Sequence, residues 1–459
     1  MLTASPSGHC RTVRGARRLN LGTLVAAVLT AITPLAAYAQ GNAGTDNAGT
    51  DATVIQLPHF PNRTFNVQRF GAKPDGQTKD TKAFQNALNA CQKAGGGTVL
   101  VPGGRYLVGQ LILHSNTNFH LAKGATILMS TDTSDYTLRR HRFHNEITAD
   151  HCHDLAITGK GTINGQGRIW WHRFRTDHNF PHRPYMIKIT NRNRLLVQGV
   201  TLTRSPMFHL VPEGCQNVTI KNIRIIAPAD APNTDGIDPS GWNFLIENCY
   251  FNVGDDCIAL KPSHPIHRGK PACLNFIIRN CRFIHGHGMS IGGQTPGGLN
   301  HMLVENCIFD HTHAGMRMKA ARGSGGLVQN VTYKNLKMKN VEYPIRINSY
   351  YGEHNKHINQ LTDPAQRVTK TTPIWRNIHV INVTASGGKY SGRIDGLPEM
   401  PVQNVTFRNC RFSAQRPLRI YHATGIRFVN STIKTPRGQP KIVAYKAQVQ
   451  GMPVHQVRR

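Results

Sequence analysis

Acidic residues are scarce in this 459-residue chain: Asp and Glu number 24 against 55 Lys and Arg, for a formal charge of +31. That shortage disfavours cationic partners and favours polyanionic ones. Charged residues of both signs together make up only 17%, while hydrophobic residues reach 39%, a balance that excludes a disordered polyelectrolyte. The ten cysteines show no metal-ligand spacing, which excludes a zinc framework.

Residues 1–39 have the form of a secretory signal. Arg11, Arg14, Arg17 and Arg18 precede an apolar run from Leu19 to Ala37, and Ala37-Tyr38-Ala39 suits cleavage before Gln40. An uncleaved anchor is the rival reading, but Thr30, Thr33 and Pro34 break the run, so no stable membrane partner is expected. Arg17-Arg18 fits a twin-arginine route poorly. Loss of the signal removes four arginines and no acid and leaves about +27, so the field belongs to the mature protein. Nucleic acid is the generic partner for such charge, but a secretory address replaces it with an acidic polysaccharide outside the cytoplasm. Residues 40–56 repeat Asn-Ala-Gly-Thr-Asp from Asn42 and Asn47 and read as a flexible linker.

The remainder, 57–459, exceeds one ordinary globular core. A nine-residue pattern recurs there, starting at Asn217, Asn243, Asn275, His301, Asn330, Asn377, Asn404 and Gly425. Its second and fourth positions are apolar, its sixth is always Asn, and its seventh and ninth are mostly apolar. Period-two alternation marks strands, and the Asn marks a sharp bend, because Asn tolerates left-handed backbone angles. Most starts are 21 to 32 residues apart, one turn of a solenoid. The expected fold is all-β: a right-handed parallel β-helix of one chain, commonly self-sufficient as a monomer. Asn222, Asn248, Asn280, Asn306, Asn335, Asn382, Asn409 and Asn430 should form a ladder whose amides bond neighbouring backbone. Phe84, Ala87, Leu88 and Cys91, behind Asp80 or Thr81 as a cap, predict a short helix closing the N-terminal end. Cys249, Cys281, Cys307 and Cys410 share the apolar seventh position and should be buried thiols. Cys257 should be buried too, while Cys91, Cys152, Cys215 and Cys273 remain available for pairing.

Four segments carry chemistry: Asn233-Thr-Asp-Gly-Ile-Asp238, Gly254-Asp-Asp-Cys-Ile-Ala259, Gly286-His-Gly-Met-Ser-Ile291 and Arg317-Met-Lys319. Laid over one another without gaps, the first three put Asp235 and Asp256 in one column. Thr234, Asp255 and His287 share the column before it, and Cys257 falls beside Met289. Column mates on adjacent turns lie about 4.8 Å apart, so the acids should converge. Clustered carboxylates cannot all ionise cheaply, so at least one should keep its proton. His287 can hydrogen-bond Asp255. Arg317 and Lys319, two apart on one strand, point the same way and suit the carboxylate of a uronic acid. The same pair offsets the acidic charge, which argues against a metal site. Asp238 fits the outward side of its strand and reads as structural.

The order and identity of these motifs resemble the polygalacturonases of glycoside hydrolase family 28, which read N-T-D, G-D-D, G-H-G and R-I-K, with Met318 here in place of Ile. Phe70 to Gly76, Gly95 to Val99, and Gly161 to Gly167 followed by Trp170-Trp171 resemble the family's N-terminal signatures. The resemblance spans Asn66 to Phe412. It implies inverting hydrolysis of α-1,4 bonds in polygalacturonate, with Asp255 as general acid, Asp235 and Asp256 activating water, and no metal or cofactor. Inversion needs carboxyl groups about 6.5 to 9.5 Å apart. Tyr351 resembles the family's sugar-site tyrosine, with Tyr350 as the competing choice. Rival readings are a rhamnogalacturonan or xylogalacturonan hydrolase, a calcium-dependent pectate lyase, and a noncatalytic polysaccharide-binding β-helix. The connections 261–272 and 352–374 either wall off one end of the groove, for exo attack, or leave it open, for endo attack.

Overall fold

The structure is a computed structural model and describes residues 55–190, 193–264 and 269–458. The signal, nearly all of the linker and Cys10 lie outside the described residues. Among the described residues, 31 strands join one parallel sheet that coils into a right-handed β-helix. No described helix is long and apolar enough to cross a membrane.

Each central turn has three strands. The nine-residue pattern supplies the first two, for example Gly241–Glu247 and Tyr250–Asn252, with Asn248 at the corner between them. Asn217, Asn222, Asn243, Asn248, Asn275 and Asn280 all take φ between 52° and 60°, the left-handed region that Asn tolerates best after Gly. The third strand carries the chemistry: Ile258–Leu260, then Met289–Gly292, Ala314–Lys319 and Tyr343–Asn348, each paired in parallel with the next.

Of the eight corner asparagines expected to form a ladder, Asn306, Asn335, Asn382 and Asn409 are joined, from side chain to side chain rather than to neighbouring backbone, and a second ladder runs at the first position of the pattern. The first-position amides of Asn217, Asn243 and Asn275 each donate to the preceding rung at 2.9 to 3.4 Å. At the sixth position Asn335, Asn382 and Asn409 donate likewise at 2.9 to 3.1 Å. The backbone groups at these corners are already used between turns, for example Asn248 N–H to the Arg279 carbonyl, which leaves the amides to pair with one another. Inside the coil, like stacks on like. Phe251, Phe283 and Phe309 stack at centroid distances of 5.2 and 4.4 Å, and Cys249, Cys281, Cys307 and Cys410 are buried beside such columns, as are Cys91, Cys257 and Cys273. Burying each large apolar side chain contributes about 1.5 to 3 kcal/mol.

The N-terminal end is closed by the expected helix, Thr81–Lys93, which buries Ala83, Phe84, Ala87, Leu88 and Cys91. Neither proposed cap caps it by side chain. The Asp80 carboxylate accepts from Lys73 N–H instead, and Thr81 Oγ1 accepts from Gly109 N–H. A second helix, Arg168–Thr176, holds Trp170 and Trp171, whose indoles are buried against loops on the outside of the coil.

Candidate active site

The four motifs meet on the third face. Bridges align Leu210 with Ile237 and Ile237 with Ile258, so Asp235 and Asp256 stand in one column on successive turns, as the sequence alignment requires. The third motif is out of step. Ile258 pairs with Met289, which puts Met289 beside Ile258 rather than Cys257, and His287 in register with Asp256. The gapless alignment fails because the turns differ in length: seven positions separate Phe251 from Ile258, but six separate their partners Phe283 and Met289. Gly286 and Gly288, at φ of 105° and 79°, absorb the difference. The His287 ring still turns back to Asp255, with Nδ1 2.9 Å from its Oδ1.

Asp256 is the anchored carboxylate. Arg317 Nη1 and Lys319 Nζ donate to its two oxygens at 2.7 and 2.6 Å, and Ser290 Oγ adds a bond at 2.8 Å. Burial works to raise its pKa, but the Lys319 and Arg317 charges outweigh burial and hold it far below the usual carboxylate range. Arg317 and Lys319 are only 8% and 5% exposed, so they are components of the site and not a solvated surface pair.

Asp235 and Asp238 are the opposite case. Both are buried, and Asp235 Oδ1 and both oxygens of Asp238 have no hydrogen-bond partner. Their nearest cation is Lys261, 3.6 Å from each. Burial first, and then the Asp238 charge, push Asp235 well above its ordinary pKa, while burial pushes Asp238 to about 7 against the pull of Lys261. Asp238 is therefore a member of the acid cluster. The cluster does keep a proton at moderate pH, but on this pair and not on Asp255. Burial acts to raise Asp255, and the His287 hydrogen bond leaves it below the ordinary value. Asp255 is also the most open of the four, its side chain 22% exposed against 1–4% for the others.

Residues outside the motifs hold this arrangement. Buried Arg183 donates to the Asn233 side chain at 2.7 Å, and Asn233 Nδ2 reaches Asp255 Oδ2 at 3.5 Å. His209, whose pKa burial lowers to about 4, is neutral and donates from Nδ1 to the Asp235 carbonyl oxygen at 2.9 Å. Lys261 had a readable signal: Leu260, Ile291 and Met318 pair in register, so Lys261 and Lys319 occupy one column with Gly292 between them.

A cleft of about 430 Å³ lies on the Asp238 side, lined by Tyr185, Phe208, Asp238, Lys261, Ser324 and Tyr351 among others. Tyr185 and Phe208 stack at 4.8 Å on the two turns preceding Asp235. Of the two tyrosines, Tyr351 faces the site, its ring centroid 5.0 Å from Lys319 Nζ. It packs where a Cβ on Gly293 would stand 2.4 Å from the ring, so a side chain at that position would displace Tyr351. Tyr350 turns away and donates to Asp363.

Asp255, Asp256 and His287 bring ligand atoms within 4.8 Å of one another, close enough for a cation. Both oxygens of Asp256 are already engaged, one by Arg317 and the other by Lys319, so a metal on either would compete with a cation already in place. The donor set does not fit a resident metal.

Glycosyl hydrolases family 28 matches residues 91–416. The chain belongs to that family. A protein named probable polygalacturonase from Vitis vinifera is 31% identical over 364 residues, covering 74% of this chain and 72% of the relative. A polygalacturonase from Chamaecyparis obtusa is 32% identical over 350 residues, covering 72% of this family 28 chain and 64% of its own length. Among solved structures, a hyperthermoactive exopolygalacturonase from Thermotoga maritima superposes with a TM-score of 0.68 at 27% identity, covering 88% of this chain and 93% of that one.

Proposed function

We propose that this glycoside hydrolase cleaves α-1,4 bonds between galacturonate units of polygalacturonate with inversion. The observation that carries the reading is the meeting of Asp235, Asp255 and Asp256 with Arg317 and Lys319 on one face of consecutive turns. Family membership and the names of the relatives support it.

Asp255 is the general acid because its side chain is the most exposed of the four carboxyls. Its lowered pKa in the resting site is part of the mechanism. Lys319 helps to depress it, so a substrate carboxylate settling on Arg317 and Lys319 neutralises that field and raises the Asp255 pKa as the bond to be protonated arrives. His287 orients the carboxyl through its Nδ1. Asp235 and Asp238 share a proton across Lys261. When the proton lies on Asp238, Asp235 is the stronger base for water, and the permanently ionised Asp256 orients that water. Tyr351 lines the sugar position beside the two cations. The arginine-led apolar segment at residues 11–37 supports export, and one self-contained coil supports a monomer.

The test is incubation of the protein with de-esterified polygalacturonate and a chelator, following reducing ends and the anomeric configuration of the first product. Turnover to the inverted anomer, lost in Asp255→Asn, is the expected result. Unsaturated, ultraviolet-absorbing products would replace the hydrolase reading with a lyase. Binding without turnover would replace it with a noncatalytic role.

A further inference from the structure

Beyond the acid cluster the third face continues with a row of arginines. Strand register aligns Arg317 with Arg346, Arg346 with Arg393, and Arg393 with Arg419, one turn apart in a single column. Their partners differ. Arg317 is bound to Asp256, while Arg393 and Arg419 both hold Asp395. Among the described residues, Arg346 has no carboxylate partner.

Arg346 is nevertheless fixed in place. Its guanidinium lies 4.9 Å from the Tyr343 ring centroid, and Nη1 sits 2.7 Å from His313 Nε2. His313 supplies no negative charge. Burial, with the Arg317 and Arg346 charges, lowers its pKa to about 3, so the ring is neutral and Nε2 accepts from Arg346 while Nδ1 faces Glu342 at 3.0 Å. A half-buried guanidinium crowded by like charge and held by a ring and a neutral imidazole is an anion receptor awaiting its anion. The row goes on. Tyr343 stacks on Tyr390 at 4.5 Å, and the exposed cations of Arg416 and Lys389 lie 5.4 and 5.5 Å from the Tyr390 ring.

We infer that Arg346 receives the carboxylate of a uronate unit one position further along the bound chain than the unit held at Arg317 and Lys319, with Arg416 serving a more distant unit. A polyuronate carries a carboxylate on every sugar, and the cationic positions at Arg317–Lys319 and Arg346, one turn apart at about 4.8 Å, are its complement. The inference rests on the polygalacturonate reading. It adds that the substrate is recognised over several units on this side of the cut, and that a methyl ester at the Arg346 position is discriminated against.

The test compares kcat/KM on hexagalacturonate with that on digalacturonate for wild type, Arg346→Gln and Arg346→Lys. The hexamer-to-dimer ratio should fall about tenfold in Arg346→Gln, with partial recovery in Arg346→Lys. The preference for free-acid over methyl-esterified hexamer should collapse in the same variant, which a merely structural role would not produce. Arg416→Gln, at an exposed position where folding is not at stake, should lower the ratio about threefold. An unchanged ratio and an unchanged ester preference in Arg346→Gln overturn the inference. If wild type cleaves neither oligomer, hexagalacturonate binding measured by calorimetry decides. Weaker binding by Arg346→Gln keeps the subsite and removes the hydrolase reading, and equal binding removes the subsite.

Discussion

Asp235 and Asp256 occupy the same column of the same face, one turn apart, and their pKa values are pushed in opposite directions. Asp256 has two cations and a hydroxyl on its oxygens. Asp235 has one unpartnered oxygen and shares a single, more distant lysine with Asp238. Burial is nearly the same for both, so desolvation does not separate them; the neighbours on the following turns do. Stacking fixes which groups are near one another, and the cations supplied by the turns beyond fix which of them carries charge. The site thus holds a constant anion beside a titrating pair, the separation of roles that acid–base hydrolysis needs.

The sharpest way to break that separation is at the most exposed carboxyl of the cluster. Asp255→Asn should lower turnover on polygalacturonate about a thousandfold, read from initial rates of reducing-end release, with the fold intact by circular dichroism. Next in size is Lys319→Met, which strips one of the two cations from buried Asp256. Leaving a buried charge half-compensated should cost about 3 to 5 kcal/mol in a denaturant titration at neutral pH. Equal stability of that variant would mean that Arg317 and Ser290 suffice, and that Asp256 is not held by the pair.

Much of this was legible in the sequence, for identifiable reasons. The coil writes itself as a repeat because every turn must bend at the same corner, and only a residue at ease with left-handed angles, Asn222 or Asn248 for example, serves there. The meeting of Asp235 and Asp256 followed from alignment because those two turns are in step. The third motif did not align, because the turn leading to Met289 is one residue shorter and Gly286 and Gly288 hide that in their backbone angles. Arg183 and His209 were invisible to motif reading, since each reaches the site from outside the four segments, and Lys261 was legible only through its shared column with Lys319. The retained proton was foreseen, but its owner depends on cation distances that residue types alone do not contain.

Asp238→Asn sharpens the comparison from the titrating side. The Asp238 pKa is about 7 in the folded protein and about 3.9 in an unfolded chain. Between those values the folded state binds more protons, so this residue's contribution is fully present below about pH 4 and is lost as pH rises through 7. Asparagine mimics the protonated form. The variant should therefore match wild type near pH 4 and exceed it at pH 8 by on the order of 2 kcal/mol, less than the whole shift because Asp235 then ionises against Lys261. The melting temperature at the two pH values measures it, and a variant less stable at pH 8 would show that Lys261 needs both carboxylates.

The smallest expected effect lies away from the site and serves as its contrast. Asn382 bridges Asn335 and Asn409 in the corner ladder at φ of 55°. Replacing it with Ala puts a Cβ without a compensating amide into a left-handed corner and removes two exposed bonds, for about 1 to 2 kcal/mol. Because nothing in the ladder titrates, that loss should be the same at pH 5 and pH 8, whereas the Asp238 effect grows between them. Denaturation midpoints of the two variants across that interval separate a scaffold built from neutral amides from a site built from unequal charges. A loss in Asn382→Ala that varied with pH would join the corners electrically to the acid cluster.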